Sequence, residues 1–208
     1  MLTKKFPVAN LFFMPEKTSR TKKLLIEVAR KLFAERGKKN VTMNDIAETS
    51  GKGRRTLYTY FKNKDEIYKA VIDSELIKIF QEIQSVSLEK IEPDIKLTKH
   101  IHKHLDAIKE TVNRNGSLKG DFFRDIYEVE RTRRKIDIQE IELIKAILTE
   151  GIEKHLFKRM NVELSSIIIL YALKGLEVPY IRQNIGIEFE KNKNSIVDFV
   201  LAGIKLEP

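Results

Sequence analysis

Along most of the chain apolar residues return every three or four positions, and no alternating strand pattern stands out. This spacing predicts an all-α fold of about nine helices. Leu24, Leu25, Val28, Ala29, Leu32 and Phe33 mark a helix over about 19–36, capped by Thr18 or Ser19 and closed by Gly37. Ile67, Tyr68, Val71, Ile72, Leu76, Ile79, Phe80 and Ile83 line one face of a long helix over about 64–87. Glu92-Pro93-Asp94 separates it from the next, about 94–114, with Leu97, Ile101, Leu105, Ile108 and Val112. Further helices are expected over about 118–132, 136–157, 162–182 and 194–205, the third capped by Asn161. Asn115-Gly116-Ser117 reads as a turn, and the basic run 131–135 as a solvated bend. Ile167 to Leu173 is apolar nearly all round, so that helix must be covered on more than one side, and a partner surface is a natural cover.

The most informative pattern lies between residues 40 and 64. Thr42 can accept from the N–H of Asp45 while Asp45 reaches back, a capping-box arrangement. The short helix it opens turns Ile46 and Ala47 inward and ends near Ser50-Gly51. A second short helix runs from about Arg54 to Phe61. Two short helices across a glycine-containing turn read as a helix-turn-helix. The second begins with two arginines and carries Thr56, Tyr58, Thr59 and Tyr60, a mixture suited to phosphates and base edges. Thr42, Ile46-Ala47, Gly51, Thr56-Leu57-Tyr58, Tyr60-Phe61 and Lys64 follow the signature that the TetR family of bacterial transcriptional regulators carries, over about Arg20 to Tyr68. In that respect the chain resembles the family. Two positions depart from its usual pattern: Lys52 replaces an apolar residue after the turn glycine, and Gly53 replaces the serine cap.

Charge sharpens this picture. Residues 1–64 hold 16 Lys/Arg against 5 Asp/Glu, and the remainder holds 23 against 25, so the net charge of +9 resides with the motif. A basic surface concentrated on a helix-turn-helix points to double-stranded DNA. Position alone places Arg54 and Arg55 where such helices contact bases: both are expected there, or else one on a guanine with the other holding a phosphate. The resemblance implies that Thr56 and Tyr58 add contacts and that Thr42, Tyr60 and Lys64 grip the backbone. Lys52 is expected to point outward, at a phosphate.

The resemblance also implies a domain order: an N-terminal three-helix DNA-binding domain (18–64) followed by a larger helical ligand-binding and dimerisation domain (65–208). It implies a homodimer formed through about 162–182 and 194–205, and a palindromic operator. It further implies a repressor released by a small effector; the alternative is control by a protein partner, or no effector at all. Helix faces suggest Phe80, Ile101, His104, Leu105, Ile108, Phe122, Phe123, Tyr127, Ile144, Leu148 and Tyr171 as pocket walls, a lining suited to a largely apolar ligand with one polar anchor.

Other chemistries find little support. His100, His102 and His104 suggest a metal site, but His102 falls on the opposite face and no HExxH or cysteine accompanies them. No metal, cofactor or catalytic residue is expected, and the chain does not read as an enzyme. The absence of cysteine fits a cytoplasmic location, and no apolar run is expected to reach the ~20 residues of a membrane span. Residues 1–17 are expected to form a flexible arm, suited to the minor groove, rather than a signal peptide. Pro7 and Asn10 interrupt their apolar run, and Met14 is a second candidate start.

Overall fold

The computed structural model describes residues 19–116, 126–182 and 191–206, with the side chains of 126–132 and 182 outside it. The arm at 1–17, Phe122, Phe123 and the side chain of Tyr127 therefore lie outside the described residues. Eight α-helices occur among those described, and the fold is all-α.

Helix α1 (Arg20–Arg36) starts where Ser19 Oγ accepts from the Lys22 N–H at 3.1 Å. Its buried residues Leu25, Ala29, Leu32 and Phe33 repeat at helical spacing, whereas Leu24, expected among them, is largely exposed. A 3-10 turn (Lys38–Asn40) leads to α2 (Met43–Thr49) and α3 (Arg54–Tyr60). Helix α4 (Lys64–Ser87) opens on Asn63, whose Oδ1 accepts from the Glu66 N–H at 2.9 Å. Helix α5 (Pro93–Arg114) begins with proline at its first turn, where a missing N–H costs nothing.

Helix α6 runs unbroken over Ile126–Glu153, so the bend expected at 131–135 does not occur. The reason is tertiary: Arg133 Nη2 donates to Glu177 at 2.6 Å and is paired inside the fold instead of marking a solvated turn. The helix also stops at Glu153, short of the expected 157. There the ring of Phe157 lies over Gly151, where an added Cβ would fall 2.0 Å from a ring carbon, so only glycine fits. The Lys158 N–H donates to Ile204 O at 2.9 Å and the Leu206 N–H to Leu156 O at 3.1 Å, tying this corner to the chain's last helix.

Helices α7 (Val162–Arg182) and α8 (Lys193–Ile204) complete the fold, with Asn161 Oδ1 accepting from the Leu164 N–H at 3.1 Å as expected. One expectation needs correction. By length and composition Val162–Ile181 would be apolar enough to cross a membrane. It is nevertheless tied to protein: Lys174 pairs with Asp137 of α6, and Glu177 with Arg133.

Two apolar clusters hold these helices. The first joins α1 to α4 with Ala107, Ile108 and Val112 of α5 and Ile181 of α7. The second joins Leu97, Ile101 and Leu105 of α5 with α6, Phe157, α7 and α8. Helix α4 shares the first cluster as far as Ile83, and α5 contributes to both clusters.

Candidate nucleic-acid interface

The geometry of the motif follows from its local hydrogen bonds. Thr42 Oγ accepts from the Asp45 N–H at 3.2 Å, and Asp45 Oδ2 accepts from the Thr42 N–H at 2.7 Å, so the expected capping box is present. These bonds from Thr42, backbone first, hold the Asp45 carboxyl below its usual range. Ile46, Ala47 and Leu57 are buried and fix α2 and α3 against α1. Gly51 takes φ +63, the left-handed conformation expected of the turn residue. Gly53 caps α3 in an extended conformation with no side-chain bond, so the usual serine can be absent without changing the geometry.

The turn leaves a consistent outer face. Arg54, Arg55 and Tyr58 are exposed, Lys52 and Thr56 are partly so, and Leu57 alone of α3 is buried. Among the described residues Lys52, Arg54 and Arg55 form no ion pair, so their charges face outward. Tyr60 packs its ring against the first cluster and keeps part of its surface open. Lys64, in the first turn of α4, places Nζ 3.4 Å from Lys39 O, drawing the start of α4 towards the 3-10 turn. Thr42 is exposed, and its hydroxyl also donates to Asp45 at 2.7 Å. All eight residues expected at DNA thus belong to the stretch from α2 to the start of α4.

The candidate pocket walls do not come together in the same way. Ile101, Leu105, Ile144 and Leu148 share the second cluster with no measurable exposure, Ile108 belongs to the first, and Phe80 is buried in neither. Tyr171 is 57% exposed, with the Lys174 ammonium 5.3 Å from its ring centre, and does not wall an interior space. It lies on the outer side of α7, where the nearly all-round apolar pattern put an aromatic residue without showing which side it covers. His104 is buried in a polar network that sequence reasoning missed. Its Nδ1 lies 2.7 Å from Glu140 Oε1 and its Nε2 3.3 Å from Glu177 Oε1. His100 Nε2 lies 3.1 Å from the same Glu140 oxygen, and Arg133 holds Glu177. Burial pushes the His104 pKa down, but Glu140 and Glu177 outweigh it and raise the value to about 10. Burial pushes Glu140 and Glu177 up; the histidines, with Arg133 on Glu177, hold both carboxyls below their usual range. The only sequence signal was the i,i+4 spacing of the two histidines. No group of three or more metal-ligating side chains is arranged to hold an ion among the described residues.

A basic recognition helix on a capped helix-turn-helix, joined to an α-helical body, defines a non-enzymatic DNA-binding transcriptional regulator. Residues 25–71 match the family described as bacterial regulatory proteins, tetR family. A Bacillus subtilis protein named an uncharacterized HTH-type transcriptional regulator, YhgD, is 26% identical over 188 residues, covering 88% of this chain and 96% of that one. A transcriptional regulator from Cytophaga hutchinsonii has a similar fold, with a TM-score of 0.73 at 24% identity, covering 88% of this chain and 98% of that one. So does the Bacillus subtilis transcriptional regulator FadR in complex with stearoyl-CoA, with a TM-score of 0.65 at 20% identity, covering 87% and 98%. These similarities support the TetR family of bacterial transcriptional regulators, whose family model covers the helix-turn-helix end of this chain.

Proposed function

We propose that the protein is a homodimeric repressor that binds a palindromic operator and is released by a small, largely apolar effector. The unpaired basic face of α3 carries the DNA-binding half of this reading. Arg54 and Arg55 read base edges, Thr56 and Tyr58 add contacts, and Thr42, Lys52, Tyr60 and Lys64 hold phosphates. Residues 18–64 form the reading unit, and 65–208 double and position it.

The dimer reading rests on an open apolar groove of about 620 Å³ between α7 and α8, walled by Ile168, Ala172, Leu176, Ile196 and Phe199 among others. Phe199 is 84% and Ile168 58% exposed, more apolar surface than a lone chain leaves to water without a use. A twofold pairing there would set two recognition helices for two half-sites. Stearoyl-CoA bound to a regulator of similar fold supports an effector with a long apolar part. The close packing of Ile101, Leu105, Ile144 and Leu148 favours the second reading, in which the body takes a protein partner or no ligand.

Selection of bound fragments from genomic DNA, with sedimentation of the free protein, tests the proposal. The expected result is a twofold-symmetric sequence beside a small set of genes and a dimer at micromolar concentration. A monomer binding asymmetric sequences would contradict it.

A further inference from the structure

Helix α5 buries two stripes. One is apolar: Leu97, Ile101, Leu105, Ile108 and Val112. The other is polar: Lys96, His100, His104 and Thr111, continued by buried Asn115 at the C-cap. In the middle of the polar stripe the charges balance. The carboxylates of Glu140 and Glu177 face the His104 imidazolium and the Arg133 guanidinium. Both nitrogens of His104, the expected polar anchor, therefore face a carboxylate: Nδ1 in a hydrogen bond to Glu140, and Nε2 3.3 Å from Glu177 Oε1 without hydrogen-bond geometry.

His100 differs. Its Nε2 lies 3.1 Å from Glu140 Oε1. A carboxylate only accepts, so Nε2 carries the proton and donates. A second imidazolium here would add a positive charge with no buried counter-charge left for it. With Nε2 facing the carboxylate, Nδ1 is the nitrogen placed to present a lone pair. That nitrogen is fully buried and has no hydrogen-bond partner. Buried acceptors seldom stay unpaired, and the described residues supply no donor to this one. Leu97 and Ile144, one helical turn from His100 and from Glu140 respectively, are both buried in the second apolar cluster. The Nε2 of His102 is also unpartnered, but that residue is only half-buried and stands beside Lys193 and Asp106.

We infer that His100 Nδ1 is the polar docking point of the body, and that it takes a neutral hydrogen-bond donor, such as a hydroxyl or an amide N–H, on an otherwise apolar molecule. A carboxylate or phosphate is the wrong partner, because it would set a negative charge against a lone pair and beside Glu140. This rests on the reading of an effector-responsive regulator and names the chemistry of its ligand.

The test uses the full-length protein with nitrogen-15-labelled histidine and three probes that share one chain: 1-decanol, decyl methyl ether and decanoate. The free protein should show His100 as the Nε2–H tautomer. Decanol should shift the Nδ1 resonance and bind roughly tenfold more tightly than either other probe, the worth of one hydrogen bond. In His100→Gln the side-chain amide still donates to Glu140 but offers no acceptor at the Nδ1 position, so the fold should persist and the preference disappear. An Nδ1–H tautomer would overturn the assignment. So would equal binding of all three probes, an unchanged preference in His100→Gln, or decanol binding that leaves Nδ1 unmoved. If no probe binds, and none releases the protein from its selected operator, the largely apolar effector itself is contradicted.

Discussion

The proposed DNA-facing surface and the interior of the body handle charge in opposite ways. On the surface Lys52, Arg54 and Arg55 have no ion-pair partner among the described residues, held out by a small apolar core of Ile46, Ala47 and Leu57. In the body, charged groups are buried and joined across helices: Glu140 to His100 and His104, Glu177 to Arg133 and His104. Glu75 is fully buried where α4 meets the end of α5, and accepts from Lys78, Arg114 and Asn115 at 2.7–2.8 Å. An unpaired charge at the surface is available to a phosphate, whereas a paired charge inside fixes how helices register. The first serves binding and the second positions what binds.

This contrast can be broken from either side. The largest effect is expected in the body. Glu140→Ala strips both histidines of their acceptor and leaves a buried cation short of its partner, which should cost about 3–5 kcal/mol in chemical denaturation. A smaller loss follows from pH. The His104 pKa rises from 6.5 to about 10 on folding, so its contribution is complete below 6.5 and disappears as pH rises towards 10. The unfolding free energy from chemical denaturation should fall across that window by up to a few kcal/mol, and His104→Gln should flatten the trend. The carboxyls of Glu75, Glu140 and Glu177 are lowered from 4.5, so their contributions hold above that value and fade as pH falls below it. At the corner after α6, Gly151→Ala drives a methyl group into the Phe157 ring and should cost about 1–3 kcal/mol, read as a lowered melting temperature. The smallest effect belongs to the motif: Thr42→Ala removes a helix cap and should cost about 1 kcal/mol, with α2 amides exchanging faster.

How much of this was legible in sequence depended on how local the cause was. The capping box, the turn at Gly51 and the ends of α4 rest on residues a few positions apart, and each appears where spacing placed it. The continuity of α6 was not legible, because Arg133 finds its partner 44 residues away. Residues 131–135 alone look like a solvated bend. The same holds for His104, which read as a pocket wall because its two carboxylate partners stand on other helices. Tyr171 read as interior because an all-round apolar helix gives no sign of which side faces out. The eight DNA-facing candidates could be named because one short stretch carries them all; the described pocket walls needed four helices, α4 to α7, to be placed first.

The most direct test is base preference in the recognition helix. Full-length wild type, Arg54→Ala and Arg55→Ala would be compared on every single-base change of the selected operator, with Lys64→Ala as the phosphate control. At least one arginine variant should lose about 1–3 kcal/mol of discrimination at one base pair of each half-site. Lys64→Ala should weaken all sequences alike and flatten the salt dependence by about one ion. Unchanged base preference in both arginine variants would contradict the account.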